Sequence, residues 1–326
     1  MTRFPGLRGG SLTALVTPFR TGIRDWLPVV RLPMPDGPAV DLPVLARLCE
    51  RQIEAGTAGL VVCGSTGEAA SLSPAEQRDV IATAVRVARG RVPVIAGCAA
   101  PATAGAVALA HEARRAGAAA LLCAPPPYVK PTQEGIFAHV RAVSHAADLP
   151  VMLYDVPART GTAISDETVA RLFRDGLIGA LKDAAGDLSR PPRLRALAGE
   201  GLLLFSGDDA TAAAYRAMGG AGCVSVTANI APALCTQLHA AWEERDLTAF
   251  ARLRDLLDPL HAALFAETNP IPVKAALEQL GLCDGLLRLP LTRAGSATRE
   301  RLARVLGPAL RAERAEERRQ RYALAG

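Results

Sequence analysis

The chain has 326 residues, half of them hydrophobic but only 4% aromatic, so Ala, Leu and Val must fill one large core. Lysine occurs only at 130, 182 and 274, so 34 of the 37 basic residues behind the net charge of +5 are arginine. The arginines are scattered among acidic residues except in a tail from Arg311 to Arg321, and no run reaches the roughly 18 apolar residues of a membrane helix, which speaks against nucleic-acid and membrane partners.

Taken in chain order, short apolar runs alternate with longer amphipathic segments. The runs are SLTALVTPF (11–19), GLVVCG (59–64), VPVIAG (92–97), AALLCAP (119–125), PVMLYDVP (150–157), IGALKDA (178–184), GLLLFSG (201–207) and GCVSVTAN (222–229). Each has the length and near-continuous hydrophobicity of a parallel strand covered on both faces. Ser73-Pro74 with Glu76, Thr132 with Glu134 and Ser165 with Glu167 signal helix starts between them. Gly90, Gly117 and Gly176 stand where helices should stop.

Eight such units predict an α/β fold, a (β/α)8 barrel over residues 1–236. An open doubly wound sheet lacks support, because no GxGxxG follows the first run. Residues 237–326 read as C-terminal helices packed on the barrel, with the last twelve or so expected as a mobile tail. Between the first strand and the first helix lies a proline-rich stretch, 20–38. Pro28, Pro33, Pro35 and Pro38 forbid a helix, and PDG suggests a turn or small hairpin near the barrel mouth. The N-terminal run SLTALV is too short for a signal peptide and ends at Thr17-Pro18. The seven cysteines stand singly, without metal-ligand spacing, and read as reduced core thiols of a cytoplasmic protein.

Barrel chemistry collects at the C-terminal ends of strands. Those ends carry Gly64-Ser65-Thr66-Gly67-Glu68, Tyr128, Tyr154, Arg159, Lys182, Gly207-Asp208-Asp209, and Ser225, Thr227 and Asn229. Lys182 is the most informative. A chain that otherwise uses arginine keeps an amine inside an apolar strand, and an amine can attack a carbonyl where a guanidinium cannot. A lysine salt-bridged to a barrel carboxylate is the competing reading. Lys130 and Lys274 fall in polar or post-barrel segments and read as structural. Tyr154 lies 28 residues before Lys182, one βα unit away, so the two should sit side by side, about 5 Å apart. A phenol there can shuttle protons, although a core tyrosine with a satisfied hydroxyl fits the spacing equally. The glycine-flanked Ser65-Thr66 pair offers donors for a small carboxylate, or is an ordinary turn. Arg159 could clamp a second carboxylate or form a surface ion pair. Asp208-Asp209 lacks a third metal ligand, and no metal is expected.

GSTGEAASLSPAEQ, LYDVPARTG, ALKDAAGDLSR, LFSGDDA, GCVSVTANIAP and NPIPVKAALEQLGL together resemble the dihydrodipicolinate synthase / N-acetylneuraminate lyase family of pyruvate-dependent class I aldolases, from about Ser11 to Leu291. The resemblance implies that Lys182 forms the Schiff base and Tyr154 is the general acid/base. It implies that Ser65 and Tyr128 complete a hydroxyl relay, and that Thr66 and the backbone near Val224 hold the pyruvate carboxylate. Gly207 joins the substrate-binding set, and Arg159 matches the arginine that binds the carboxylate of aspartate semialdehyde. In that family the second tyrosine crosses from a neighbouring subunit, which implies a homotetramer built from dimers. No cofactor is implied. The alternatives are a family aldolase or dehydratase acting on a sugar acid or a hydroxyproline-derived keto acid, and a keto-acid-binding barrel without catalysis.

The chain departs from the family pattern in four places. Ser65 replaces the usual threonine, Asp155 replaces the usual asparagine, and the 20–38 stretch is unusually long. The polar lysine-feedback site of inhibited synthases is matched by Ala69, Ala70, Pro74, Gln77, Pro101, Gly105 and Pro127. Millimolar lysine is therefore expected to leave turnover unchanged, and a steady-state assay that shows strong inhibition would refute this.

Overall fold

The computed structural model describes residue 4, residues 6–21 and residues 37–325. Eight parallel strands close into a barrel: β1 (Gly10–Ala14), β4 (Gly59–Val62), β5 (Val94–Gly97), β6 (Ala120–Cys123), β7 (Val151–Asp155), β8 (Ala180–Asp183), β9 (Leu203–Ser206) and β10 (Gly222–Ser225). Two further strands among the described residues, β2 (Phe19–Arg20) and β3 (Ala39–Val40), form a separate antiparallel pair. The barrel strands are almost wholly buried, as their unbroken apolar runs demand. Closure brings β1 and β10 so close that a Cβ on Gly222 would lie 1.9 Å from the Gly10 carbonyl oxygen, so only glycine fits there.

Helix starts follow the local chemistry. Ser73 and Glu76 form a reciprocal capping box at Pro74–Ala88. The Thr132 and Ser165 side chains accept from the backbone N–H groups of Gly135 and Thr168 at the helices Gln133–Ala147 and Asp166–Arg174.

Three of the expected strand limits are corrected. The first run splits into β1 and β2, separated by Leu15, Val16, Thr17 and Pro18. The run 150–157 ends at Asp155, because Pro157 starts a four-residue helix, Pro157–Thr160. The run 222–229 ends at Ser225 and passes into a 3-10 turn, Thr227–Asn229. There Asp209 accepts from the Ser225 hydroxyl and from the N–H groups of Val226 and Thr227, which satisfies donors that a strand would have spent on its neighbour.

The expected turn at PDG lies outside the described residues. Its base is visible, however: Phe19 pairs with Val40 and Arg20 with Ala39. Arg288 donates from Nε and NH2 to the Pro38 carbonyl, and the same guanidinium pairs with Glu76. The stretch therefore leaves and rejoins the barrel over a fixed stem.

After β10 come the helices Pro232–Glu243, Leu247–Leu264, Ile271–Gln279 and Ser296–Ala325. Position 236, expected as the end of the barrel domain, falls inside the first of these. The last helix runs on through the segment expected as a mobile tail. It docks through Glu313, whose buried carboxylate accepts from the N–H groups of Ala233 and Leu234 at the start of Pro232–Glu243. Burial pushes the Glu313 carboxyl up to about 7, although these two N–H groups and Arg51 pull it down. The unfolded chain releases the same proton near 4.5, so between 4.5 and about 7 the folded state binds a proton that the unfolded state lacks. Stability should therefore fall by up to about 3 kcal/mol as pH rises through that window, then level off. Glu313→Gln should flatten the slope, which denaturant melts at about pH 5 and about pH 8 will read.

Candidate active site

Side chains alternate along a strand, so every second residue of β7 and β8 faces the barrel interior. The register pairs Tyr154 with Lys182 and Asp155 with Asp183. Tyr154 and Lys182 share one face at the C-terminal ends of their strands. Lys182 is 6% exposed, and its Nζ lies 4.2 Å from the centroid of the Tyr154 ring. No carboxylate among the described residues pairs with that nitrogen. Just past the end of β9, a Cβ on Gly207 would stand 3.2 Å from Lys182 Cε and 2.9 Å from the Ala184 Cβ, so the glycine makes room for the lysine arm.

The competing reading of Lys182, a lysine locked to a buried acid, describes Lys274 instead. Lys274 is fully buried, its Nζ stands 2.5 Å from Glu68 Oε1 and donates to the Leu286 carbonyl, and it lies over the Phe19 ring. Glu68 in turn takes a left-handed backbone, φ 52°, and ends the Gly64–Gly67 turn. Thr17 holds the same turn by donating to the Gly67 carbonyl. This fixes Thr66, which is buried, while Ser65 beside it is exposed.

Asn269 was not singled out from the sequence, although it opens a quoted motif. Its Nδ2 donates to Thr66 Oγ1 at 2.9 Å, and its main-chain carbonyl accepts from Arg159 NH2 at 3.0 Å. One residue from the C-terminal segment thus joins the threonine and the arginine expected at opposite ends of the substrates. With its oxygen already accepting, the Thr66 hydroxyl keeps its own proton to donate. Arg159 is otherwise exposed, as a guanidinium awaiting an anion would be.

Val224 is buried in β10, and Val226, Thr227 and Asn229 beyond it are held by Asp209 and by the Ala14 carbonyl. Asp209, Ser225, Thr227 and Asn229 therefore shape the backbone there. Tyr128 stands apart. It is 92% exposed at φ 75°, and no hydrogen bond within the described residues links it to Ser65 or Tyr154. Among the described residues, no group of three or more His, Cys, Asp or Glu is placed to hold a metal ion.

Since Lys274 neutralises a buried carboxylate, Lys274→Met should cost about 3–5 kcal/mol by stranding Glu68, whereas Lys274→Met with Glu68→Gln should recover most of that loss. Urea melts of the three proteins will check the pattern.

Known proteins agree with this architecture. A family model described as the dihydrodipicolinate synthetase family matches residues 23–309. A 4-hydroxy-tetrahydrodipicolinate synthase of Rhodospirillum centenum is 47% identical over 89% of this chain and 94% of its own. That of Rhizobium meliloti is 44% identical over 90% and 95%. The crystal structure of the chloride-inhibited dihydrodipicolinate synthase of Acinetobacter baumannii, complexed with pyruvate, superposes with a TM-score of 0.84 at 39% identity, covering 93% of this chain and 99% of that one. The described residues include no helix long and apolar enough to cross a membrane. The barrel, its strand-end residues and these likenesses agree: the chain belongs to the dihydrodipicolinate synthetase family.

Proposed function

We propose that this protein condenses pyruvate with L-aspartate 4-semialdehyde to 4-hydroxy-tetrahydrodipicolinate, on the route to diaminopimelate and lysine, through a Schiff base on Lys182. The observation that carries the proposal is the contrast between two buried lysines. Lys274 is ion-paired, whereas no carboxylate among the described residues pairs with the Lys182 amine, which faces a phenol 4.2 Å away, centroid to nitrogen.

The chemistry follows from that amine. Its lone pair attacks the keto carbon of pyruvate, and the carbinolamine loses water to give a protonated imine. That cation withdraws electrons from the methyl carbon, which gives up a proton and becomes an enamine nucleophile. Tyr154 passes the protons in both steps. The enamine carbon attacks the aldehyde of the semialdehyde, and the substrate's own amine then displaces Lys182 in closing the ring. Every electron pair comes from the two substrates and the lysine, so the sequence needs no cofactor. Thr66 and the backbone near Val224 receive the pyruvate carboxylate, beside Gly207. Arg159, steadied by the Asn269 carbonyl, receives the carboxylate of the second substrate.

Ser65 and Tyr128 complete the proton relay once a second copy of the chain brings its Tyr128 in. The bare, 92% exposed Tyr128 supports a dimer at least, and we propose a tetramer of two such dimers in the cytoplasm. The free thiols, six of the seven buried, suit that compartment.

Borohydride added with pyruvate should trap a covalent adduct on Lys182, located by peptide mass, and leave Lys130 and Lys274 unlabelled; an adduct elsewhere would overturn the assignment. Arg159→Ala should lower kcat/KM for aspartate semialdehyde by roughly 30- to 1000-fold, the equivalent of about 2–4 kcal/mol, while pyruvate trapping continues. Faster turnover of a keto-sugar acid than of aspartate semialdehyde would move the chain to another branch of its family.

A further inference from the structure

Asp155 and Asp183 follow Tyr154 and Lys182 and therefore face the opposite way, out of the barrel and towards the helices. Both are buried, and the register sets them side by side on neighbouring strands. Two carboxylates so placed repel each other, and burial away from water leaves that repulsion poorly screened.

A single guanidinium holds them. Arg190, 3% exposed at the head of the helix Arg190–Ala198, donates from NH1 to Asp155 Oδ2 at 2.7 Å and to Asp183 Oδ1 at 3.1 Å. Its Nε donates to Asp166 Oδ1 at 2.8 Å, and its NH2 donates to the Ile164 carbonyl at 2.6 Å. The remaining acceptor sites are also filled. Asp155 accepts from the Ile164 N–H, and Asp183 accepts from the Ala185 N–H and the Tyr215 hydroxyl. Three carboxylates meet one buried arginine, and among the described residues only the half-exposed Arg193 reaches Asp166 from outside. Burial raises the Asp155 carboxyl above the usual range, and Arg190 pulls it back. Burial also works against the Arg190 charge, yet Asp183 and Asp155 hold its pKa above the ordinary value.

We propose that Arg190 is a positioning residue that clamps the ends of β7 and β8 together from outside the barrel, so that Tyr154 meets the imine nitrogen of Lys182 on the inside. The inference rests on the Schiff-base reading above. Arg190 touches neither substrate. It acts through the two strand ends, and the repulsion it quenches is one residue removed from each reacting group. Proton transfer needs close alignment, so a small splay between the strands should slow chemistry more than it weakens pyruvate binding.

Arg190→Gln should lower kcat by roughly 10- to 100-fold with KM for pyruvate changed by less than about threefold. Arg190→Lys, which keeps the charge but cannot span four acceptors, should fall between that variant and the wild type. Adding Asp155→Asn to Arg190→Gln removes the repelling partner and should restore at least about fivefold of the loss. In a Tyr154→Phe background the Arg190→Gln loss, read as the rate of pyruvate trapping by borohydride, should shrink to less than about twofold. Circular dichroism confirms folding first; if Arg190→Gln does not fold, Arg190→Lys is carried through the same Tyr154→Phe cycle. An Arg190 variant that is folded and fully active, or losses that simply multiply with Tyr154→Phe, would overturn the proposal. Failure of the wild type to trap pyruvate on Lys182 would defeat the Schiff-base reading itself, a result separable from either.

Discussion

The pairing of β7 with β8 in one parallel register organises the candidate site. Because side chains alternate, that register assigns two neighbouring pairs to opposite faces: Tyr154 with Lys182 inward, and Asp155 with Asp183 outward. A slip of one residue would exchange them, putting a phenol and an amine among the helices and two carboxylates in the barrel. Two carboxylates about 5 Å apart repel by roughly 3 kcal/mol at an effective dielectric near 20, enough to disturb a strand pair unless a cation intervenes. Arg190 is that cation, and its four acceptors fix it more tightly than a point charge could be fixed.

The same logic separates the two buried lysines. An ammonium in the interior is held by an opposite charge, or it sits where a neutral amine is useful. Lys274 has Glu68, the Leu286 carbonyl and the Phe19 ring, so its charge is spent on tying the segment after the barrel to the turn that carries Thr66. Lys182 has the Tyr154 ring and the space that Gly207 leaves beside its arm.

The number and order of the barrel strands could be read from the chain because each strand is an apolar run bounded by polar or glycine-rich segments. The pairing of Tyr154 with Lys182 could be read as well, since one βα repeat separates them. What escaped the reading depends on partners distant in sequence. Arg190 and Asn269 both lie inside motifs that carry the family resemblance, yet neither carries a local signal of its contacts. Asn269 finds Thr66 203 positions away, and Arg190 finds Asp155 35 positions away. The early end of the run 222–229 escaped for a similar reason: apolar composition fits a strand, but Asp209, from the preceding loop, takes over the backbone donors. The burial of Lys274 was hidden because a post-barrel helix gives no sign of which residues it turns towards the barrel.

The segment after the barrel does more than extend it. Asn269 reaches Thr66 and Arg159, Lys274 reaches Glu68, and Arg288 reaches Pro38, Ser71 and Glu76. Three residues spread over 20 positions therefore fasten the turn after β4, the loop after β7 and the stem of the 20–38 stretch to one scaffold. A loop on the rim of a barrel would otherwise be the least ordered part of the molecule. Anchored this way, Thr66 and Arg159, the two residues proposed to receive the substrate carboxylates, keep their spacing before any substrate arrives, and on that proposal binding energy goes into alignment at Lys182 instead of into ordering the rim.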